Sequence, residues 1–389
     1  MLKQVNPAHI LGIDALRFLA ALMVVLFHLL YLTGVMPQSY SGWASGGHVV
    51  FPEAYAWSHF GWVGVQIFFV ISGFVIAYSA SNATAYSFFS GRVVRLVPGV
   101  WICATVTLAV TLALECCAKA GDTLMSYLNS VMFSPFGTWM DGTYWTLGIE
   151  IAFYTLVLAF IAARRFGWVL YLAMAMGTAS AIFWVVVTVA GGGDGALAVL
   201  MARLLASRKV ALLLLPHGVF FGLGVLLWWE LTVRHRRAHY PWMLLFIGAG
   251  CLQIIYRAQQ YNLKFGVDYS PTVALGVWLA ALVAMVLSVR YNSVLHRAPQ
   301  ALLRALRMAG LMTFPLYLLH QVNASAVMGL LAEAGWPRWG AFAAALLCAL
   351  VASWLVAAHL EPALQKVLRA GLARLRPRQA PAAPDGAKL

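Results

Sequence analysis

The sequence predicts an all-α polytopic membrane protein with about ten transmembrane helices and both termini in the cytoplasm. Of its 389 residues, 62% are hydrophobic and only 10% are charged, whereas soluble domains carry about 25% charged residues. Apolar stretches of about 20 residues recur along the chain, and a helix of that length crosses the hydrocarbon core. Together these observations exclude a soluble globular protein.

Apolar length and polar or turn-rich interruptions divide the chain into ten predicted spans. They cover residues 13–33, 61–80, 96–115, 147–163, 168–190, 210–229, 240–257, 271–289, 309–331 and 339–360. We assign residues 1–370 to one transmembrane domain. The Arg-, Pro- and Ala-rich segment 371–389 is predicted to be a disordered cytoplasmic tail. The segment 191–209 carries bases on the predicted outer side and is compatible with an interfacial helix.

The net charge of +14 reflects membrane topology. With the N-terminus inside, 18 of the 26 bases fall in cytoplasmic segments and 7 fall in outer segments, while Arg17 lies inside the first span. This asymmetry follows the positive-inside rule. Because the bases sit in short loops between apolar spans, the charge does not indicate a nucleic-acid partner.

The sequence has no motif for a metal or a nucleotide cofactor. Its five cysteines show no CxxC spacing, which argues against a zinc site and a disulfide framework. It contains no Walker A loop and no complete GxGxxG sequence, so neither ATP nor a dinucleotide has a visible binding motif.

Arg17 and His28 both lie in the first predicted span. The eleven positions between them correspond to about three helical turns, so both project from one face, about 16 Å apart along the axis. Ionisable groups at membrane depth are costly and are functional candidates for that reason. The alternative is an arginine that reaches the headgroups and a histidine satisfied by a backbone carbonyl.

Glu150 lies near the outer end of the fourth predicted span, at about the depth of His28. A carboxylate next to an imidazole fixes its tautomer and stabilises the imidazolium. We therefore predict that Glu150 supports His28 as a catalytic pair, with an interfacial glutamate as the alternative. Tyr144 and Trp145 precede it and are candidates to bind a sugar ring or to anchor the helix in the interface.

Arg92 and Arg95 lie where the third span is predicted to begin on the cytoplasmic side. Their spacing places both on one helical face, and paired guanidiniums suit phosphate recognition, although topology alone also favours bases there. Ser72 and His320 reach mid-membrane depth and are candidate substrate-binding residues. For Ser72 the alternative is close helix packing.

The motifs in combination resemble the membrane-bound acyltransferase 3 family, which includes O-antigen and exopolysaccharide O-acetyltransferases. The resemblance covers residues 8–365, and its distinctive motifs lie mostly before residue 155. It rests on Leu11-Gly12-Ile13-Asp14-Ala15-Leu16-Arg17 followed by His28, on Ser72-Gly73-Phe74, on Arg92-x-x-Arg95, on Tyr144-Trp145-Thr146-Leu147 with Glu150, on Tyr317-Leu318-Leu319-His320-Gln321 and on Glu361-Pro362.

The resemblance implies an O-acyltransferase that takes acetyl-CoA or another acyl-CoA as donor, without a metal. It also implies a glycan or lipid-linked saccharide as a frequent acceptor, and a multi-pass protein of the bacterial inner membrane. In the expected mechanism, Arg92, Arg95 and Arg17 hold the anionic end of the donor and His28 acts as general base. Direct transfer and an acyl-histidine intermediate both stay open, as does a homo-oligomer.

Other classes of function stay open. A glycolipid transporter would also need a polar interior, but no inverted repeat is visible. A membrane haem protein could use His28 and His320 as axial ligands. An acyltransferase could also act on a small cytosolic acceptor that enters beside the donor.

Overall fold

The computed structural model describes residues 9–115, 120–191 and 195–375 of the chain. These residues form helices, turns and connecting loops, with no strand among them. The main helices are α1 Leu11–Val35, α2 Pro52–Ala80, α3 Ala85–Leu114, α4 Ala120–Val131, α5 Gly142–Ala162, α6 Phe166–Ala190, α7 Ala196–Ala206, α8 Gly218–Val233, α9 Arg237–Phe265, α10 Thr272–Arg290, α11 Gln300–Glu333 and α12 Arg338–Arg374.

Within the described residues, nine helices are long and apolar enough to cross a membrane, namely all except α4, α7 and α8. Each overlaps one predicted span, so the all-α polytopic class is confirmed. The remaining predicted span, 210–229, corresponds to α8, which is apolar but shorter than the nine. It begins only at Gly218 because a turn that contains Pro216 and a left-handed Leu214, with φ of 62°, precedes it.

Helix α3 begins earlier than its hydropathy indicates. The Thr84 side chain accepts a hydrogen bond from the backbone N–H of Ser87, and the Ser87 hydroxyl oxygen accepts one from the backbone N–H of Thr84. This reciprocal cap satisfies amide groups that would otherwise lack partners at the first turn. The helix therefore begins eleven residues before the predicted span 96–115, and Arg92 and Arg95 lie about two or three turns inside the helix.

Helix α8 lies at the centre of the main core. All residues of Gly218–Trp228 are buried, and the helix packs against α2, α6 and α9. Its closest approach is to α2, where glycines stand opposite each other. A Cβ on Gly224 would lie 2.1 Å from the Val70 carbonyl oxygen, and one on Gly73 would lie 2.2 Å from that of Phe221.

The segments predicted as loops contain short structured elements. Residues 34–60 include the helix Tyr40–Ala44, and α4 lies between α3 and α5. Helix α7 occupies most of the predicted interfacial segment. Of the predicted tail, residues 371–374 complete α12, and residues 376–389 lie outside the described residues. The sidedness of the termini stays a prediction.

We expect Gly224→Ala to prevent stable folding. The new methyl group would meet the backbone of α2, at Val70 and Phe74, and backbone cannot move aside as a side-chain end can. The control is Gly248→Ala in α9, where a Cβ meets nothing within 4 Å. Yield and thermal unfolding in detergent measure the effect. An unfolding temperature of Gly224→Ala equal to that of the wild type, or equal losses in both variants, would contradict this packing.

Candidate active site

His28 and His320 meet in the interior, one from α1 and one from α11. Each lies in a π-helical turn, Phe27–Leu32 for His28 and His320–Ala324 for His320. His320 Nε2 is 3.0 Å from His28 Nδ1. His320 is completely buried, whereas His28 is partly accessible.

The neighbours of the two rings determine their tautomers. His28 Nδ1 lies 2.8 Å from the Val24 carbonyl oxygen, and His320 Nδ1 lies 3.1 Å from that of Leu316. A carbonyl oxygen only accepts, so each Nδ1 carries the hydrogen. His320 Nε2 is then an acceptor, and the single Nδ1–H of His28 is shared between the Val24 carbonyl oxygen and this nitrogen. Neutral His28 consequently keeps its lone pair on Nε2, the nitrogen a general base would use.

Asp141 links the π-helical turn that contains His320 to the start of α5. Its Oδ2 accepts a hydrogen bond from Val322 N–H at 3.1 Å, and its Oδ1 accepts bonds from the backbone and hydroxyl of Thr143, both at 2.8 Å. Burial raises the pKa of this carboxyl, which precedes the span that begins at Gly142, to about 6. Asp141 thus connects both chain segments beside the histidines.

A cavity of about 400 Å³, here called the histidine cavity, opens at His28. It lies toward the end of the bundle where α1 ends and α5 begins. Its walls combine aromatic, amide and cationic groups. They include Trp62, Gln66, Trp145, Arg208, His217, Arg257, Tyr261, Tyr317 and Gln321.

A second cavity of about 350 Å³, here called the arginine cavity, extends toward the end where α1 begins. The structure brings together there Arg17, Ser72, Arg92, Arg95, Glu150 and Tyr154. Val65 and Tyr317 line both cavities. The two cavities therefore adjoin at these side chains, and Tyr317 is held there by a hydrogen bond from the Thr146 hydroxyl at 3.2 Å.

Glu150 is not hydrogen-bonded to His28, contrary to the predicted pairing. Its carboxylate accepts hydrogen bonds from the Ser72 hydroxyl at 2.9 Å and from the Tyr154 hydroxyl at 2.5 Å. The position that we predicted for a carboxylate is occupied by His320. The prediction placed Glu150 near the outer end of a span that begins at residue 147, but α5 begins at Gly142, so Glu150 lies about 12 Å along the helix. There it lines the arginine cavity together with Arg17.

The other predicted substrate-binding residues have different environments. Trp145 lines the histidine cavity, and its ring centroid is 5.7 Å from that of His217. Tyr144 is buried in a hydrophobic cluster of the core and lines neither cavity. Ser72 lines the arginine cavity and contacts Glu150.

Sequence reasoning missed Tyr317, Arg208, Arg257 and the two glutamines of the histidine cavity. Tyr317 belongs to the Tyr317-Leu318-Leu319-His320-Gln321 motif, which by itself gives it no role. Arg208 and Arg257 are two of the seven bases that fall in predicted outer segments, and apolar length alone places such bases outside the helix bundle.

The geometry bears on the haem alternative. Two axial histidines would hold the iron between their rings, whereas His28 and His320 are joined by a direct hydrogen bond, which leaves no room for an iron atom. No group of three or more His, Cys, Asp or Glu side chains in the described part of the chain could hold a metal ion.

A family model described as an acyltransferase domain, that of the acyltransferase 3 family, matches residues 10–358. The match includes both cavities and the histidine pair. No curated protein and no solved structure matches the chain.

Proposed function

The chain belongs to the acyltransferase 3 family, and we propose that it is an O-acyltransferase of the bacterial inner membrane. It moves an acyl group, with acetyl the simplest case, from cytosolic acyl-CoA to a hydroxyl of a cell-surface glycan or lipid-linked saccharide. The observation that supports this most is the pair of adjoining cavities: one is lined by three arginines, and the other is lined by His28.

The arginine cavity suits the anionic end of the donor. Arg17, Arg92 and Arg95 provide three guanidiniums against one carboxylate, Glu150, so the wall has a surplus of positive charge for phosphate groups. The same cavity has apolar walls along which an extended pantetheine arm can run toward Tyr317. The thioester would then lie where the two cavities adjoin.

In the chemical step, His28 Nε2 removes the proton of the acceptor hydroxyl as its oxygen attacks the thioester carbonyl carbon. The new C–O bond forms, the C–S bond breaks, and the thiolate takes the proton back from His28. His320 acts as a positioning residue because it accepts the Nδ1–H hydrogen bond of His28. We assign Glu150 to the donor side, where it orients Ser72 and Tyr154 and balances part of the arginine charge.

The positions of the cavities support transfer across the membrane. The arginine cavity lies toward the beginning of α1, which the charge distribution places in the cytoplasm, and the histidine cavity lies toward its outer end. The acceptor would therefore enter from the periplasmic side. This placement argues against a small acceptor that enters beside the donor.

We expect His28→Ala to lower acyl transfer by about 10²–10⁴-fold, the usual contribution of a general base. His320→Ala should lower kcat with little change in the KM for donor, and His320→Gln should retain part of the activity because an amide oxygen can accept the Nδ1–H bond. His359→Ala, at an exposed position, is the matched control. Transfer of labelled acetyl groups in proteoliposomes is the measurement, and normal transfer by well-folded His28→Ala would refute the mechanism.

Arg92→Ala and Arg95→Ala should each weaken coenzyme A binding at least about tenfold, because a phosphate loses a charged partner. Arg→Lys should restore only part of the affinity, since the ammonium group lacks the bidentate fork. Arg304→Ala, an exposed basic position of α11, controls for a general loss of charge. Calorimetry measures the affinities, and unchanged values in both variants would return these arginines to a topological role.

Sidedness provides the third test of this function. Single cysteines in 34–60 and in 230–239 of a cysteine-free variant should react with an impermeant thiol reagent from the periplasmic and cytoplasmic sides respectively. Labelled acetyl-CoA sealed inside vesicles should then label a glycan accessible only from the opposite face. Label confined to acceptors on the donor side would refute transfer across the membrane and leave acyl transfer itself intact.

A further inference from the structure

The histidine cavity has cationic walls without a counter-charge. Arg208 and Arg257 both line it, and its described lining residues include no aspartate or glutamate. The only arginine–carboxylate ion pair among residues 9–115, 120–191 and 195–375 joins Arg338 to Glu53, at the surface. The cavity next to the proposed base therefore contains two guanidiniums with no acidic partner.

Arg208 is held in place while one of its nitrogens stays without a partner. Its Nε donates to the Pro135 carbonyl oxygen at 2.8 Å, and its guanidinium lies 5.1 Å from the centroid of the Trp139 ring. The Nη2 atom is buried and has no hydrogen-bond partner among the described residues. It lies against Gly148, where a Cβ would come within 2.4 Å of it.

An unpaired guanidinium in a partly buried site is costly unless an anion compensates it. The arginine cavity contains its own carboxylate, Glu150, and the histidine cavity contains none. Asp141 does not line the histidine cavity, and its oxygens accept hydrogen bonds from Thr143 and Val322. The described residues that line this cavity therefore supply no compensating anion, and a ligand that carries one would be favoured there.

The neutral groups of the cavity indicate what else that ligand carries. Gln66 and Gln321 both line the cavity, and the amide oxygen of each is buried without a hydrogen-bond partner among the described residues. Amide side chains of this kind form hydrogen bonds with hydroxyl groups. Trp62 and Trp145 add aromatic surface. Hydroxyls, an apolar ring face and an anionic substituent occur together in acidic saccharides.

We propose that the acceptor is an anionic saccharide, whose carboxylate or phosphate is bound by Arg208 and Arg257 while one of its hydroxyls reaches His28 Nε2. This inference rests on the proposed acyl transfer and adds the charge of the acceptor to it. The guanidiniums bind the acidic substituent, and the glutamine amides and tryptophan rings bind the sugar.

Binding is measured first, without chemistry. Protein in phosphatidylcholine nanodiscs, which contain no anionic lipid, is titrated with glucuronate, glucose 6-phosphate and methyl glucoside, and tryptophan fluorescence is recorded. Glucuronate or the phosphate should bind at least about tenfold more tightly than the neutral glycoside, since each charged contact is worth that or more. The tighter of the two acids identifies the carboxylate or the phosphate as the source of the charge.

Variants test whether the arginines of the histidine cavity cause the preference for acidic sugars. Arg208→Gln and Arg257→Gln should each lower acid binding about tenfold or more and leave methyl glucoside binding unchanged. Gly148→Ala should act in the same direction, because its methyl group displaces the Arg208 Nη2 atom without removing charge. Arg203→Gln, an exposed base on α7, is the control and should bind like wild type.

The outcomes separate this inference from the proposed function. Equal affinity for acidic and neutral sugars, no binding of either, or wild-type acid binding by both arginine variants overturns the anionic acceptor. Loss of transfer in His28→Ala with retained acid binding supports both proposals. Tight acid binding without transfer from acyl-CoA to any acceptor refutes the acyltransferase mechanism and leaves the anionic saccharide site standing.

Discussion

The hydrogen bond between His28 and His320 is the interaction on which the arrangement of the site depends. It links α1 to α11, and each ring is also anchored to the carbonyl group four residues earlier in its own helix. Both histidines lie in π-helical turns, which are rare and often occur at functional sites. Inside a membrane a polar ring needs protein partners because water is absent, and these two rings supply one another with a partner.

Tyr317 couples this pair to the donor side. It lies one turn before His320 on α11, lines both cavities and receives a hydrogen bond from Thr146 of α5. The arginine cavity and the histidine cavity therefore share one buried boundary at Tyr317. In the proposed reaction, this boundary keeps the phosphates of the donor away from His28, whereas the thioester reaches His28.

The spans could be predicted from the sequence, whereas the contacts between helices could not. Arg17 and His28 line adjoining cavities, and Leu11–Leu26 is regular α-helix, which is the geometry that the prediction of a shared face assumes. The pairing of Glu150 with His28 was wrong because α5 begins at Gly142, earlier than its hydropathy indicates, and because the spacing along one helix says nothing about which side chains of another helix face it. The π-helical turn at His320 has no local signal except Pro315. The start of α3 was missed because the Thr84–Ser87 cap lies in a polar stretch that hydropathy ignores.

A neutral partner for His28 has a physical consequence in a membrane. A carboxylate would hold a proton on the imidazole more strongly, but it would also place a permanent charge in a medium where charge is expensive. A pair of neutral histidines places no such charge there. In the proposed reaction, when His28 takes a proton at Nε2, its Nδ1–H bond to His320 becomes charge-assisted and therefore stronger. The stabilisation then arises mainly during the transfer itself.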